Sequence, residues 1–227
     1  MVDRGVRPRQ LAFALPHAES LTRDNFLEGP SNCAALALID RWPDWPGRSI
    51  LLAGPEGCGK SHLASIWAEH AGARVISARA LNDAEVPEAL ATGALVVEDL
   101  VSGGFDERSL FHLMNLAREH EAFVLFTARA APAGFDVALP DLRSRLRALP
   151  VVQIGSPDDA LFRALIVKFA ADRQIALDES VVAYLERRIE RSVAAAREVV
   201  AHLDLESLRL GRPVTRALAA EVLREDG

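Results

Sequence analysis

The sequence predicts an α/β fold, with a five-stranded parallel sheet followed by a small all-helical domain. Short apolar runs alternate with helical stretches from about residue 21 to residue 155, which is typical of parallel strands joined by helices. After Pro157 only helical periodicity remains. The chain has 227 residues, enough for one such domain and a small appendage. We therefore expect an extended tail over 1–20, an α/β domain over 21–155 and a helical domain over 156–227.

Each predicted element corresponds to an apolar run bounded by turn residues. The strands are expected to be buried, and their predicted ranges are 49–53, 74–77, 94–98, 122–127 and 151–154. Apolar residues at helical spacing predict four helices in the second domain, around 161–169, 181–189, 194–208 and 215–224.

The charge and composition of the chain favour some classes of function over others. Half of the residues are hydrophobic, so the chain has enough apolar residues to fold around a core. The formal net charge is -6, which disfavours binding to the phosphate backbone of nucleic acids. Protein partners or mononucleotides are favoured instead. Cys33 and Cys58 are expected to be free thiols in a reducing cytoplasm. No targeting signal is visible and no apolar run is long enough to cross a membrane, so we expect a cytoplasmic protein without membrane contact.

A complete phosphate-binding pattern follows the first predicted strand and precedes a helix. Glycines in such a loop let backbone N–H groups point at phosphates, and the helix N-terminus adds a favourable dipole. Lys60 is expected to reach the outer phosphates, and the Ser61 hydroxyl to ligate Mg²⁺. The loop comprises Gly54, Pro55, Glu56, Gly57, Cys58, Gly59, Lys60 and Ser61.

Two acidic residues end the third predicted strand. Carboxylates at the carboxyl end of a parallel strand face the place where a nucleotide binds. Glu98 and Asp99 are therefore predicted to hold Mg²⁺ with Ser61, and Asp99 to orient an attacking water.

Several stretches together resemble the DnaA/Hda family of AAA+ ATPases, in an order and spacing that match from about residue 21 onward. The similar segments are DNFLEGPSN at 24–32, GCGKSHL at 57–63, FHLMN at 111–115, DLRSRL at 141–146 and ARE at 196–198. The resemblance implies an AAA+ core with a helical lid, binding ADP or ATP. It assigns His62 to the nucleotide loop, and Asn25 and Phe26 to the base pocket. It makes Arg145 an arginine finger that completes a neighbour's site, and Arg197 a sensor of the bound phosphates.

The chain departs from that family at two positions. Glu98 stands where Asp is usual, and Ala128 lies at the sensor 1 position, where a polar residue is common. An alanine cannot hydrogen-bond a water or a phosphate, and whether Thr127 substitutes depends on the direction of its side chain. Both departures predict weak or no intrinsic ATPase activity.

The two ends of the chain complete the sequence-based hypothesis. No residues remain after the helical domain for the DNA-binding domain of DnaA-like initiators, so sequence-specific DNA binding is not expected. The tail sequence QLAFAL resembles the sliding-clamp-binding motif of the Hda branch. Its predicted contacts are Gln10 in a polar notch and three apolar side chains in a cleft: Leu11, Phe13 and Leu15.

The leading interpretation is a regulator at the replisome that docks on the DNA polymerase sliding clamp and activates hydrolysis of ATP bound to DnaA. A self-assembling AAA+ ATPase, such as a helicase loader resembling DnaC or IstB, shares the loop and both arginines but leaves the tail unexplained. Self-association into a homo-oligomer stays open. A small-molecule kinase is a third alternative, although no acceptor pocket or arginine-bearing lid is evident in the core.

Overall fold

A computed structural model describes residues 21–225, which form two compact units. The α/β unit comprises residues 21–161 together with 192–194, and the helical unit comprises 162–191 and 195–225. The predicted tail, including Gln10, Leu11, Phe13 and Leu15, lies outside the described residues.

The α/β unit contains one five-stranded sheet with every pairing parallel, which confirms the predicted fold class. The strand order is β2-β3-β4-β1-β5, so β1, which leads into the phosphate loop, lies between β4 and β5. The strands are β1 (Ser49–Ala53), β2 (Arg74–Ser77), β3 (Ala94–Leu100), β4 (Phe123–Ala128) and β5 (Val151–Gln153).

Helices connect the strands of the α/β unit and make up the helical unit. In the α/β unit they are α1 (Cys33–Asp40), α2 (Lys60–Ala71), α3 (Val86–Ala89), α4 (Glu107–Glu119) and α5 (Pro140–Ala148). Three short 3₁₀ turns cover Arg23–Asn25, Ala78–Ala80 and Pro132–Gly134. The helical unit is built from α6 (Asp159–Asp172, from Phe162 onward), α7 (Glu179–Glu186), α8 (Val193–Leu210) and α9 (Arg216–Glu225).

Alternate side chains of the central strands enter two separate cores, one on each face of the sheet. Leu51, Val97 and Phe126 lie in the core that contains α4 and α5, and Ile50 and Leu125 lie in the core that contains α1 and α2. This alternation follows from the two-residue period of a strand. Because both faces are covered, the central strands are apolar almost throughout, as is typical of parallel sheets.

The predicted burial of residues 74–77 is wrong. Within residues 21–225, β2 lies at the edge of the sheet and pairs with β3 alone. Its side chains are largely exposed, and Val75 retains 50% of its accessible surface. An apolar run alone does not distinguish an edge strand from a central one. The third strand also continues past Glu98 to Leu100, through an irregularity between Val97 and Leu100.

Helix α4 begins with a side-chain cap. The Asp106 Oδ1 atom accepts hydrogen bonds from the backbone N–H and the hydroxyl of Ser109, each at 2.8 Å. The Ser109 backbone N–H, followed by its hydroxyl, holds the pKa of Asp106 below its usual value. The ionised carboxylate therefore stabilises the first turn of the helix.

Replacing Asp106 by alanine is expected to lower the free energy of unfolding by about 1 kcal/mol at neutral pH. The folded-state pKa is lowered, so this contribution is fully present above the unfolded value of about 3.9 and disappears as the pH falls through the folded value. Urea unfolding at pH 7 and near pH 3 measures the difference. Asp44→Ala, at an exposed loop position, serves as control; an Asp106→Ala deficit that stays constant into acid would contradict the capping argument.

Candidate nucleotide-binding site

The phosphate loop begins where three strands end side by side. The Gly54 N–H donates to the Ala128 carbonyl at 3.1 Å, and the Ile154 N–H donates to the Ala53 carbonyl at 2.7 Å. The first residue of the loop is thereby fixed between the ends of β4 and β5. A nucleotide bound there lies at the carboxyl edge of the sheet, as in other open α/β folds.

Close approaches at two glycines define the path of the loop. A Cβ atom at Gly54 would lie 2.3 Å from the Ile154 carbonyl oxygen, and one at Gly57 would lie 2.8 Å from the Ala194 Cβ. Gly57 also has a φ of +68°, and its carbonyl accepts a hydrogen bond from the Val193 N–H at 2.8 Å. Neither position accommodates a side chain without movement of its neighbours.

Lys60 holds its ammonium group inside the curve of the loop. Its Nζ atom donates to the carbonyls of Gly54 at 2.9 Å and Pro55 at 2.7 Å, and the residue is buried. Ser61, the next residue of α2, is exposed. A buried cation, an exposed hydroxyl and the N-terminus of a twelve-residue helix together suit the phosphates of a nucleotide and its Mg²⁺.

Cys58 is the buried thiol of the loop. Its Sγ lies 3.8 Å from the Lys60 Nζ, and burial raises the pKa of the thiol, which the lysine only partly opposes. Cys58 is therefore protonated at neutral pH. It is free, as is the half-buried Cys33.

The segment that contains Asn25 and Phe26, predicted to form the base pocket, packs against the first turn of α2. The ring of Phe26 is buried and meets the His62 ring edge to face, with 5.2 Å between centroids. The His62 Nε2 lies 2.9 Å from the Thr22 carbonyl oxygen, and the Asn25 amide donates to the Thr22 hydroxyl at 3.2 Å. The contact of Asn25 and Phe26 with a base stays a prediction.

The acidic end of β3 is linked to β4 by a side chain. Asp99 has a φ of +57° at the irregularity in the strand, and its N–H donates to the Thr127 hydroxyl oxygen at 3.1 Å. Thr127 therefore points towards β3, whereas Ala128 contributes only a buried methyl group. Glu98 is half-buried and Asp99 is exposed. Their carboxylates and the Ser61 hydroxyl are oxygen ligands of the kind that Mg²⁺ prefers.

One ion pair at the phosphate loop is not predicted by the sequence. The guanidinium of Arg129, directly after β4, forms an ion pair with the Glu56 carboxylate at 2.8 Å. The two residues are 73 positions apart, and only the location of Arg129 at the end of a strand hints at the contact.

Comparison with solved structures identifies the architecture. Domain III of the Thermotoga maritima initiation protein DnaA matches with a TM-score of 0.74 at 19% identity, over 90% of this chain and 96% of that one. The chain has the AAA+ fold of DnaA domain III. AMPPCP-bound DnaA from Aquifex aeolicus matches at 22% identity, with a TM-score of 0.68, over 85% and 68% of the two chains. No family model matches the sequence.

The same AAA+ fold occurs in a motor protein. The Thermotoga maritima RuvB Holliday junction branch migration motor matches with a TM-score of 0.71 at 16% identity, over 90% of this chain and 72% of that one. The fold is therefore shared by an initiator and a motor, and it does not by itself distinguish between their activities.

Arg145 lies apart from the phosphate loop within the α/β unit. Its guanidinium stands 4.9 Å over the ring of Phe111 on α4. It lines a pocket of about 450 Å³ together with Ser49, the first residue of β1, and Ala122, which directly precedes β4. The loop lies at the opposite edge, where strands end. The buried side chains of Leu142 and Leu146 fix α5 and thereby the position of Arg145.

The remaining predicted residues are placed less completely. Arg197 is on α8 in the helical unit, with its guanidinium 5.1 Å from the centre of the Phe169 ring; its role as a phosphate sensor stays a prediction. Among the described helices, none is both long and apolar enough to span a bilayer.

Proposed function

We propose that this chain is an Hda-like regulator of replication initiation that stimulates, in trans, the hydrolysis of ATP bound to DnaA. The position of Arg145 carries the proposal. It lines a pocket at the edge of the sheet where strands begin, whereas the chain's own phosphate loop follows the ends of strands. Because Arg145 is remote from the chain's own phosphate loop, its guanidinium would stabilise the transition state of hydrolysis in the nucleotide site of a neighbouring subunit.

The chain's own site would hold ADP or ATP as a structural ligand. Loop N–H groups and Lys60 would bind the phosphates, while Ser61, Glu98 and Asp99 would hold Mg²⁺, which supplies charge neutralisation when bound. The likeness in fold to AMPPCP-bound DnaA supports nucleotide binding. The buried Ala128 methyl offers no polar group towards a phosphate, which favours slow turnover.

A second contact would recruit the regulator to replicating DNA. The tail residues Gln10, Leu11, Phe13 and Leu15 would dock on the sliding clamp, with the amide in a polar notch and the apolar side chains in a groove. Support for this contact comes from the order of the residue types in the tail. Held on the clamp, the chain would meet DnaA only during or after replication.

Clamp binding is expected at micromolar affinity for the intact chain and should be at least a hundredfold weaker after the combined change Gln10→Ala, Leu11→Ala, Phe13→Ala. Truncating two apolar anchors removes most of the energy of such a short interface. Surface plasmon resonance on immobilised clamp measures the effect. The matched control is Arg4→Ala with Arg7→Ala, which changes the same tail outside the motif.

The alternative is a self-assembling ATPase of the helicase-loader kind, which the shared fold with RuvB also allows. Rapid ATP hydrolysis by the isolated chain, or a stable complex with a replicative helicase, would favour it. An intact chain that fails to bind the clamp would remove the recruitment step and leave the loader alternative ahead.

A further inference from the structure

A pocket of about 450 Å³ lies at the amino ends of three neighbouring strands, β4, β1 and β5. It is lined by the residues that immediately precede these strands and by the carboxyl-terminal parts of α4 and α5. A volume of this size is typical of small-molecule sites, which measure about 300–1,000 Å³. The pocket lies at the edge of the sheet opposite the phosphate loop, so it is a separate site.

The lining of this pocket has an excess of positive charge. Arg48 donates to the carbonyl of Glu121 at 2.7 Å and to its carboxylate at 3.0 Å. Within residues 21–225, no carboxylate pairs with Arg118 or Arg145, and the Arg145 guanidinium instead lies over the Phe111 ring. The described lining therefore carries three guanidinium groups and one carboxylate.

The ends of two helices offset only part of this charge. Arg118 and Arg145 lie in the last turns of α4 and α5, where the carbonyl groups that end a helix favour a cation. Each helix end supplies about half of an elementary charge, whereas each guanidinium supplies a whole one. A cleft with such an excess of one sign of charge attracts ligands of the opposite sign.

The rest of the lining is largely apolar. Met114, Ala117 and Leu149 are buried, and Pro150 lies beside them at the start of β5. Arginine binds a phosphate through parallel N–H groups, but a phosphate alone would leave this apolar surface uncovered. A ligand that joins a phosphate to an apolar or ring-shaped body contacts both parts of the pocket. The lining therefore suits a small organic phosphate better than an inorganic ion.

We propose that this pocket binds a small organic phosphate, with the phosphate paired with Arg118 and Arg145 and the organic body on the apolar surface. The consequence for DnaA rests on the proposed function. A phosphate paired with Arg145 occupies the guanidinium that would act in the neighbouring nucleotide site. Bound ligand therefore switches the activator off without entering the chain's own phosphate loop.

Phenyl phosphate is a suitable probe, because it joins a phosphate to an apolar ring and is not a nucleotide. An NMR titration of the full chain should give a Kd of about 1 mM or lower, with the largest amide shifts around Arg118 and Ala122. Arg118→Ala should weaken binding about tenfold or more, through loss of a charge-assisted contact. Arg108→Ala is the matched control: it changes an exposed arginine at the other end of α4 and should bind as the intact chain does.

Four outcomes would overturn the site, with thermal unfolding as the check that each variant is folded. Unchanged binding by Arg118→Ala would exclude contact with that guanidinium. Binding that is lost in Lys60→Ala and kept in Arg118→Ala would place the anion in the phosphate loop. Inorganic phosphate that binds as tightly as phenyl phosphate would show that the apolar surface takes no part. Displacement of phenyl phosphate by an equal or lower concentration of tetraglutamate would assign the pocket to an acidic protein segment instead.

The effect on DnaA is measured separately, by single-turnover hydrolysis with clamp and regulator present. At about ten times its Kd, phenyl phosphate should lower the stimulation by the intact chain about tenfold, by mass action. Arg118→Ala should stimulate within about twofold of the intact chain and resist the probe. Full stimulation at saturating probe would refute the switch. If the intact chain stimulates no hydrolysis at all, the proposed function fails and the switch with it, whereas the NMR titration still decides the binding site.

Discussion

Arg145→Ala is expected to lower the proposed stimulation of DnaA-bound ATP hydrolysis by about a thousandfold while leaving the chain's own nucleotide affinity within about twofold. The guanidinium lies over Phe111 and lines a pocket at the edge of the sheet where strands begin. It therefore has no part in the chain's own phosphate site. Single-turnover hydrolysis by DnaA, with clamp and regulator present, measures the first effect, and calorimetry measures the second.

Arg147→Ala provides the matched control, since Arg147 is an exposed arginine on the same helix two residues later. Its stimulation should stay within about twofold of the intact chain. Arg145→Lys should behave like Arg145→Ala, because an ammonium lacks the planar fork of a guanidinium. Loss of nucleotide binding in Arg145→Ala, or equal losses in both alanine variants, would contradict the finger assignment.

Gly54→Ala is expected to weaken nucleotide binding about a hundredfold and to destabilise the fold by about 2 kcal/mol. The new Cβ would lie 2.3 Å from the Ile154 carbonyl oxygen, a backbone atom that cannot rotate away. The loop and the end of β5 must therefore separate, which displaces the N–H groups that are predicted to face the phosphates. Calorimetry and urea unfolding measure the two effects.

Gly47→Ala tests whether the effect depends on the close approach rather than on losing a glycine. Its Cβ would meet its nearest neighbour, the Ser49 carbonyl oxygen, at 3.8 Å, an ordinary contact. Stability should change by less than about 0.5 kcal/mol and nucleotide affinity should be unaffected. Normal nucleotide binding by Gly54→Ala would show that the loop tolerates displacement, contrary to the geometry.

The features that the sequence predicts correctly are those that a local pattern determines. The glycine spacing predicted the loop, and apolar runs predicted five parallel strands, because backbone conformation and burial depend on nearby residues. The predicted burial of β2 was wrong, since the order of strands in a sheet depends on contacts between distant segments. For the same reason, the sequence left open the direction of the Thr127 side chain, which accepts a hydrogen bond from the Asp99 N–H. It also did not predict the ion pair between Arg129 and Glu56.

The attachment of Thr22 to His62 has a mechanical consequence for the proposed recruitment. The last residue of the tail motif, Leu15, is seven residues before Thr22, whose carbonyl is bonded to the helix that follows the phosphate loop. Seven residues extend to about 25 Å at most. A clamp-bound chain would therefore be held by a short tether within about the same distance of the clamp. Its local concentration in that small volume would far exceed its concentration in the surrounding cell.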